Sequence, residues 1–361
     1  MKDNSIKSQT IEWLRFFCIA AVVLLHAVDP PVDGSPFCYR DGAYYTAQVL
    51  FSEGLCTVAV PIFFIISGYL FFVKLEEWDK KIWLDKMKRR ARTLLLPYLL
   101  WNLIAILFSL GMLYFRASLK GSTPDIAAWY NGMGGLKAFW DTGTAGLPFN
   151  YPLWFLRNLI VFVILSPAVF LYAKRTGIVG LILLCGLYFM APLAKLPGLF
   201  FIHGLFFFTL GAYLSIRKID FTDLFKRFRI VAVCIAVPLL ITIFFTFGIH
   251  TDVWKYTHRA FTLFGSVATI GIVASLFQKG RLKVRPLLSA STFLIYAAHG
   301  TIVLPQIQSI LGKILPLNQI GLTIKYFTAP LLTVVLLVLC YWCLNRWLPK
   351  TTAVLTGGRA K

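Results

Sequence analysis

Long apolar runs set the terms for this chain. A bilayer core of about 30 Å takes about 20 apolar residues to cross as a helix, and ten stretches reach or approach that length. They cover about 11–28, 46–73, 93–115, 153–172, 178–194, 199–216, 230–249, 259–277, 287–312 and 326–348. Helices are the expected form, because they satisfy backbone N–H and C=O groups internally where water is missing. We therefore read the chain as an all-α, polytopic membrane helix bundle with about ten transmembrane helices. The second and ninth runs exceed a single crossing, which leaves room for tilt or for an interfacial turn.

Composition agrees and narrows the classes. Of 361 residues, 58% are hydrophobic and only 14% charged, against roughly 25% charged in soluble domains. The net charge is +21, yet a nucleic-acid binder would be hydrophilic, so membrane lipids rather than nucleic acid are the expected surroundings. Rich Phe, Leu and Ile content excludes disorder. Seven cysteines are an odd number, six of them in apolar runs and only Cys38 in a loop. That is no disulfide framework. No local His, Cys or carboxylate spacing suggests a metal site.

The basic residues are unevenly placed. Segments 1–10, 74–92, 173–177, 217–229, 278–286 and 346–361 hold 25 Lys or Arg, and the alternate loops hold 8. Cytoplasmic loops are the Lys- and Arg-rich ones, so ten spans with both termini in the cytoplasm are expected. The first run resembles a signal peptide only in its flanking lysines. It contains Glu12, Arg15 and His26 and lacks a small-residue cleavage site, so a retained helix is expected. The expected organisation is a membrane domain over 1–350, with loop 116–152 on the outer side, and a short cytoplasmic tail over 351–361.

Ionisable groups inside spans cost several kcal/mol unless paired or hydrated, and each is a functional hypothesis. Arg15 and His26 lie eleven residues apart. At ~100° per residue they share a helix face, about 16 Å apart along the axis. Glu12 can partner Arg15 across one turn. Arg15 would sit at the inner end and His26, a potential general base, at the outer end. Lys88 and Arg92 share a face at the inner start of the third run, with Arg89 and Arg90 beside them. They are either orientation anchors or an anion clamp. Ser67 and Gly68 suit close helix packing. Glu53, Arg157, Asn158 and His299 are further polar groups within or beside spans, while His203, His250 and His258 read as interfacial. A transporter or flippase for a polysaccharide intermediate is also compatible with these features.

Several short stretches, in order, carry a family likeness: Arg15 to His26, PIFFIISGYLF from Pro61, Lys88 and Arg92 followed by LLLPYLLW, PLWFLR from Pro152, and FLIYAAH ending at His299. Together they resemble the integral-membrane acyltransferase-3 family, in the stand-alone O-acetyltransferase form without an extracytoplasmic SGNH-type domain. Lys88 departs from the pattern, where Arg is usual; the two are not interchangeable. The resemblance implies a bacterial inner-membrane enzyme moving an acyl group, acetyl in the first instance, from cytoplasmic acyl-CoA to a hydroxyl of a cell-surface glycan or lipid-linked saccharide. It implies catalytic roles for His26 and Arg15. Lys88, Arg89, Arg90 and Arg92, together with Arg15, would bind the CoA phosphates, and Arg157, Asn158, His299 and Glu53 are the candidates for the acceptor. A separate extracytoplasmic acyl-handling protein would be a compatible partner. No permanently bound cofactor is implied.

Overall fold

The first helix, α1 (Ile6–Leu25), opens on Ser5, whose hydroxyl accepts from the Ser8 amide, and closes at His26. In this computed structural model the described residues are 5–28, 42–73, 75, 77–142, 146–191, 199–248 and 252–358; Cys38 and His250 lie outside them. The second run is not one straight helix. It comprises α2 (Ala43–Ala47), a π-turn over Gln48–Ser52, a 3-10 turn over Leu55–Val58, and α3 (Ala59–Phe72). Asp79 caps α4 (Lys80–Arg90) through two backbone amides. A π-turn over Ala91–Leu95 then joins α4 to α5 (Leu96–Leu119), so the basic segment and the third run form one continuous rod.

Loop 116–152 folds back on the bundle. Asp125 caps α6 (Ile126–Met133), and the Trp129 indole donates to Ser109 on α5. The fourth run breaks where Pro167 has no amide to donate: α7 (Trp154–Ile164) stops, and α8 (Ser166–Met190) starts on a new axis. Gly177 then kinks α8, with φ of 59°, a positive value that favours glycine. The chain continues through α9 (Leu199–Ile216), α10 (Phe221–Thr246), α11 (Asp252–Gln278) and α12 (Pro286–Ala298). A third π-turn, His299–Val303, leads into α13 (Leu304–Ile314), so the ninth run also carries a turn. The long α14 (Gln319–Trp347) and the short α15 (Pro349–Leu355) complete the described chain.

Eight of these helical segments, among the described residues, are long and apolar enough to cross a membrane. Tyr151–Ile164 and Phe201–Ile216 are apolar but shorter. The protein is thus an all-α, multi-pass membrane bundle. Packing in lipid relies on close contact rather than on hydrophobic exclusion, and the α3–α9 crossing shows how. A methyl group added at Gly68 would stand 2.0 Å from the Phe208 carbonyl, and one at Gly211 would stand 2.1 Å from that of Ile65. The two glycines let the backbones touch. Residues beyond α14 are also tied in: the Trp101 indole donates to the Leu355 carbonyl. Helices α1, α3, α7, α12 and α14, with the start of the α4–α5 rod, enclose one cavity.

Candidate active site

The cavity holds about 560 Å³, within the range of small-molecule sites. Its two ends differ. At one end stand Glu12 and Arg15 of α1, Arg90 from the last turn of α4, and Tyr341 and Asn345 of α14. Arg15 senses the charges of both Glu12 and Arg90. Three turns further along α1, at the other end, stands His26. The rest of the lining is mostly apolar, with Val22, Val60, Phe63, Phe155, Leu159 and Phe293, and includes the hydroxyls of Ser67 and Thr292. The arrangement offers a cationic end, a largely apolar passage and a basic side chain.

The His26 end is held by a dense set of hydrogen bonds. Asn150 donates to the carbonyls of Trp101 and Ala297, accepts from Thr301, and its own amide donates to Asn102. This ties the end of the loop to α5 and α12 immediately before Tyr151. The Tyr151 ring then meets His26 edge-on, with centroids 5.0 Å apart. The Tyr296 hydroxyl donates to the Pro152 carbonyl at 2.9 Å and accepts from the Leu156 amide, one of the amides a helix start leaves free. His299 is fully buried, and its ring stacks on that of His26 with centroids 5.5 Å apart. Its Nδ1 lies 2.9 Å from the carbonyls of Ile295 and Tyr296. A carbonyl only accepts, so Nδ1 carries the hydrogen and neutral His299 keeps a lone pair on Nε2. That Nε2 has no partner among the described residues.

The sequence-derived candidates separate on this geometry. His26, Arg15 and Arg90 line the one cavity. Lys88, Arg89 and Arg92 are exposed and do not line it. Lys88 and Arg92 lie together on the exposed side of the rod, and Arg90, two residues from each, is the one that reaches the cavity. His299 lies behind His26 rather than in the wall. Arg157 is a strut: it donates to the carbonyls of Trp140 and Gly146 and to the Asn158 side chain, and it stacks on the Trp140 ring. Asn158 is 2% exposed and serves that strut. Glu53 sits in the turn after the first π-turn, away from the cavity lining.

Some polar lining residues escaped sequence reasoning, Tyr341 and Asn345 among them. These two lie within LCYWCLNRW, where apolar neighbours mask them; their i, i+4 spacing on one helix face was the available signal. Ser67 also lines the cavity, while its neighbour Gly68 takes the packing role.

Comparison with known proteins follows the same lines. No solved structure matches the chain. A curated relative, the succinoglycan biosynthesis protein ExoH of Rhizobium meliloti (strain 1021), is 27% identical over 98% of this chain and 92% of its own length. Residues 9–345 match the acyltransferase-3 family model, described as an acyltransferase domain. That match spans nearly every helix around the cavity, and the chain belongs to the acyltransferase-3 family of membrane acyltransferases.

Proposed function

We propose that the protein moves an acyl group, acetyl in the first instance, from cytoplasmic acyl-CoA to a hydroxyl of a cell-surface glycan or lipid-linked saccharide. One observation carries this: a single cavity joins paired guanidinium groups at one end to His26 at the other. Arginine suits phosphate oxygens because its planar fork can bind them bidentately. With both termini in the cytoplasm and ten crossings of the bacterial inner membrane, the Arg15 and Arg90 end faces the cytoplasm, where the donor is. The apolar walls then take the pantetheine arm, and the thioester comes to His26. The printed name of the relative, a protein of succinoglycan biosynthesis, supports a glycan acceptor.

The chemistry follows from the side chains. His26 takes the proton of the acceptor hydroxyl as that oxygen attacks the thioester carbonyl. The tetrahedral centre collapses, the carbon–sulfur bond breaks, and His26 returns the proton to the leaving thiolate. The products are an ester and free CoA thiol. A single-cavity passage accommodates this direct transfer; a separate extracytoplasmic protein would be needed only if acceptor and cavity lie on different sides. In this organisation residues 1–350 form the catalytic membrane domain and 351–361 a cytoplasmic tail. Purified protein is expected to release CoA thiol from acetyl-CoA when given glycan acceptors, and mass spectrometry of the product names the acyl group. Movement of unmodified saccharide into vesicles without thiol release would instead identify a transporter.

A further inference from the structure

An unpartnered hydroxyl stands at the basic end of the cavity. Tyr341 on α14 lines that end with Glu12, Arg15 and Arg90. It is 2% exposed, and its hydroxyl is buried with no hydrogen-bond partner among the described residues. Buried tyrosine hydroxyls normally find a partner, and a polar group left unsatisfied away from water is unfavourable. Phenylalanine would fill the same space without that cost. The tyrosine therefore points to a partner that arrives with a ligand. Chemistry narrows the partner. The guanidinium groups on the same wall only donate, and the tyrosine can donate as well. Glu12 beside Arg15 offsets one of the two guanidinium charges; the remaining positive charge and the tyrosine donor still match a group made of acceptor oxygens, which a diphosphate is and a sugar hydroxyl is not.

We propose that Tyr341 is a donor-binding residue, its hydroxyl donating to a phosphate oxygen of CoA beside Arg15 and Arg90. The assignment rests on the acyl-CoA reading above and adds a residue from the last long helix to it. Tyr341 stands with Arg15 at the end of the cavity opposite His26, so it takes no part in the acyl-transfer step.

Tyr341→Phe removes the oxygen alone and tests this in two readouts. CoA binding to the purified full chain in detergent, measured by calorimetry, is expected to weaken about tenfold or more, as for a hydrogen bond to a charged group. The melting temperature of the ligand-free variant is expected to be unchanged or raised, because no native hydrogen bond is lost. Pantetheine, which lacks the phosphates, is expected to bind both proteins equally. Unchanged CoA affinity in Tyr341→Phe overturns the assignment, as does an equal loss for pantetheine. A lowered melting temperature of the free variant would show a structural hydroxyl and also overturn it. Wild-type protein that binds no CoA at all would instead overturn the acyl-CoA reading, and this assignment with it.

Discussion

The two ends of the cavity are built on opposite plans. At the His26 end the framework is tied to the backbone: Asn150, Tyr296 and His299 Nδ1 bond to backbone carbonyls and amides from three helices and a loop, leaving His299 Nε2 as the unpartnered atom. At the other end the cations come from side chains on α1 and at the close of α4. Arg90 is the last residue of α4, followed by a π-turn, and Tyr341 has no partner among the described residues. Fixed geometry is what acyl transfer requires, since a base must meet its proton within hydrogen-bond reach. A polyanion binds through charge and tolerates adjustable side chains. The contrast teaches that the reaction end is organised by the fold, while the donor end is left for the donor to complete.

The largest effect should come from His26. Replacing it with Ala is expected to lower acyl transfer by about 10²–10⁴-fold while leaving CoA affinity within twofold, because the phosphate end is untouched. Full turnover in His26→Ala would end its assignment as the base. Next in size is Asn150→Ala, which removes the side-chain bonds to the carbonyls of Trp101 and Ala297 and from Thr301. Each such hydrogen bond contributes about 0.5–1.5 kcal/mol, so thermal stability should fall. The maximal rate should fall with it, as Tyr151 loses its anchor, while CoA affinity stays. An equal loss of rate and CoA affinity would show that the two ends are not independent.

How much of this could be read from the chain itself differs between the same two ends. The apolar runs placed the helices well, because length and hydropathy are local properties. The Arg15–His26 face was legible for the same reason: both residues ride one unbroken helix. The cationic partner was not. Lys88 and Arg92 share a side, but it is the exposed one, and Arg90 between them lines the cavity. A run of adjacent basic residues does not say which of its sides meets the bundle. His299 was visible as a buried polar group, but its stacking on His26 is a contact between the two ends of the chain, beyond any local pattern. Arg157 looked like a site residue because it is charged near a span; its partners, Trp140 and Gly146, lie in a loop whose path the sequence did not show.

That difference sets the third test. Arg90→Ala should weaken CoA binding about tenfold, the scale of one charge-assisted hydrogen bond, with the maximal rate at saturating donor preserved. Lys88→Ala and Arg92→Ala, on the exposed side, should change affinity less than twofold at 0.15 M salt, where exposed charges are screened beyond about 8 Å. Should Arg92→Ala match Arg90→Ala, the cation clamp would extend beyond the cavity wall, and the motif pair would regain the role its resemblance implies.

The smallest expected effect lies at the same end but outside the cavity, where Lys7 near the start of α1 meets Asp220, the cap of α10, at 3.0 Å. Both side chains are about one-third exposed, so the pair should contribute no more than about 1 kcal/mol. Burial works against the Asp220 charge, but hydrogen bonds from Thr222 and Lys7 outweigh it and hold the carboxyl below its ordinary value. A depressed carboxyl stabilises the fold above the unfolded-state pKa of about 3.9 and loses that contribution as pH falls through the folded value. Asp220→Asn keeps a capping side chain and removes only the charge. Its melting temperature should therefore fall slightly below wild type at pH 7, and the difference should shrink steadily from about pH 4 downward. A difference that persists into strong acid would locate the loss in the cap rather than in the ion pair, and the donor end would owe its stability to backbone geometry after all.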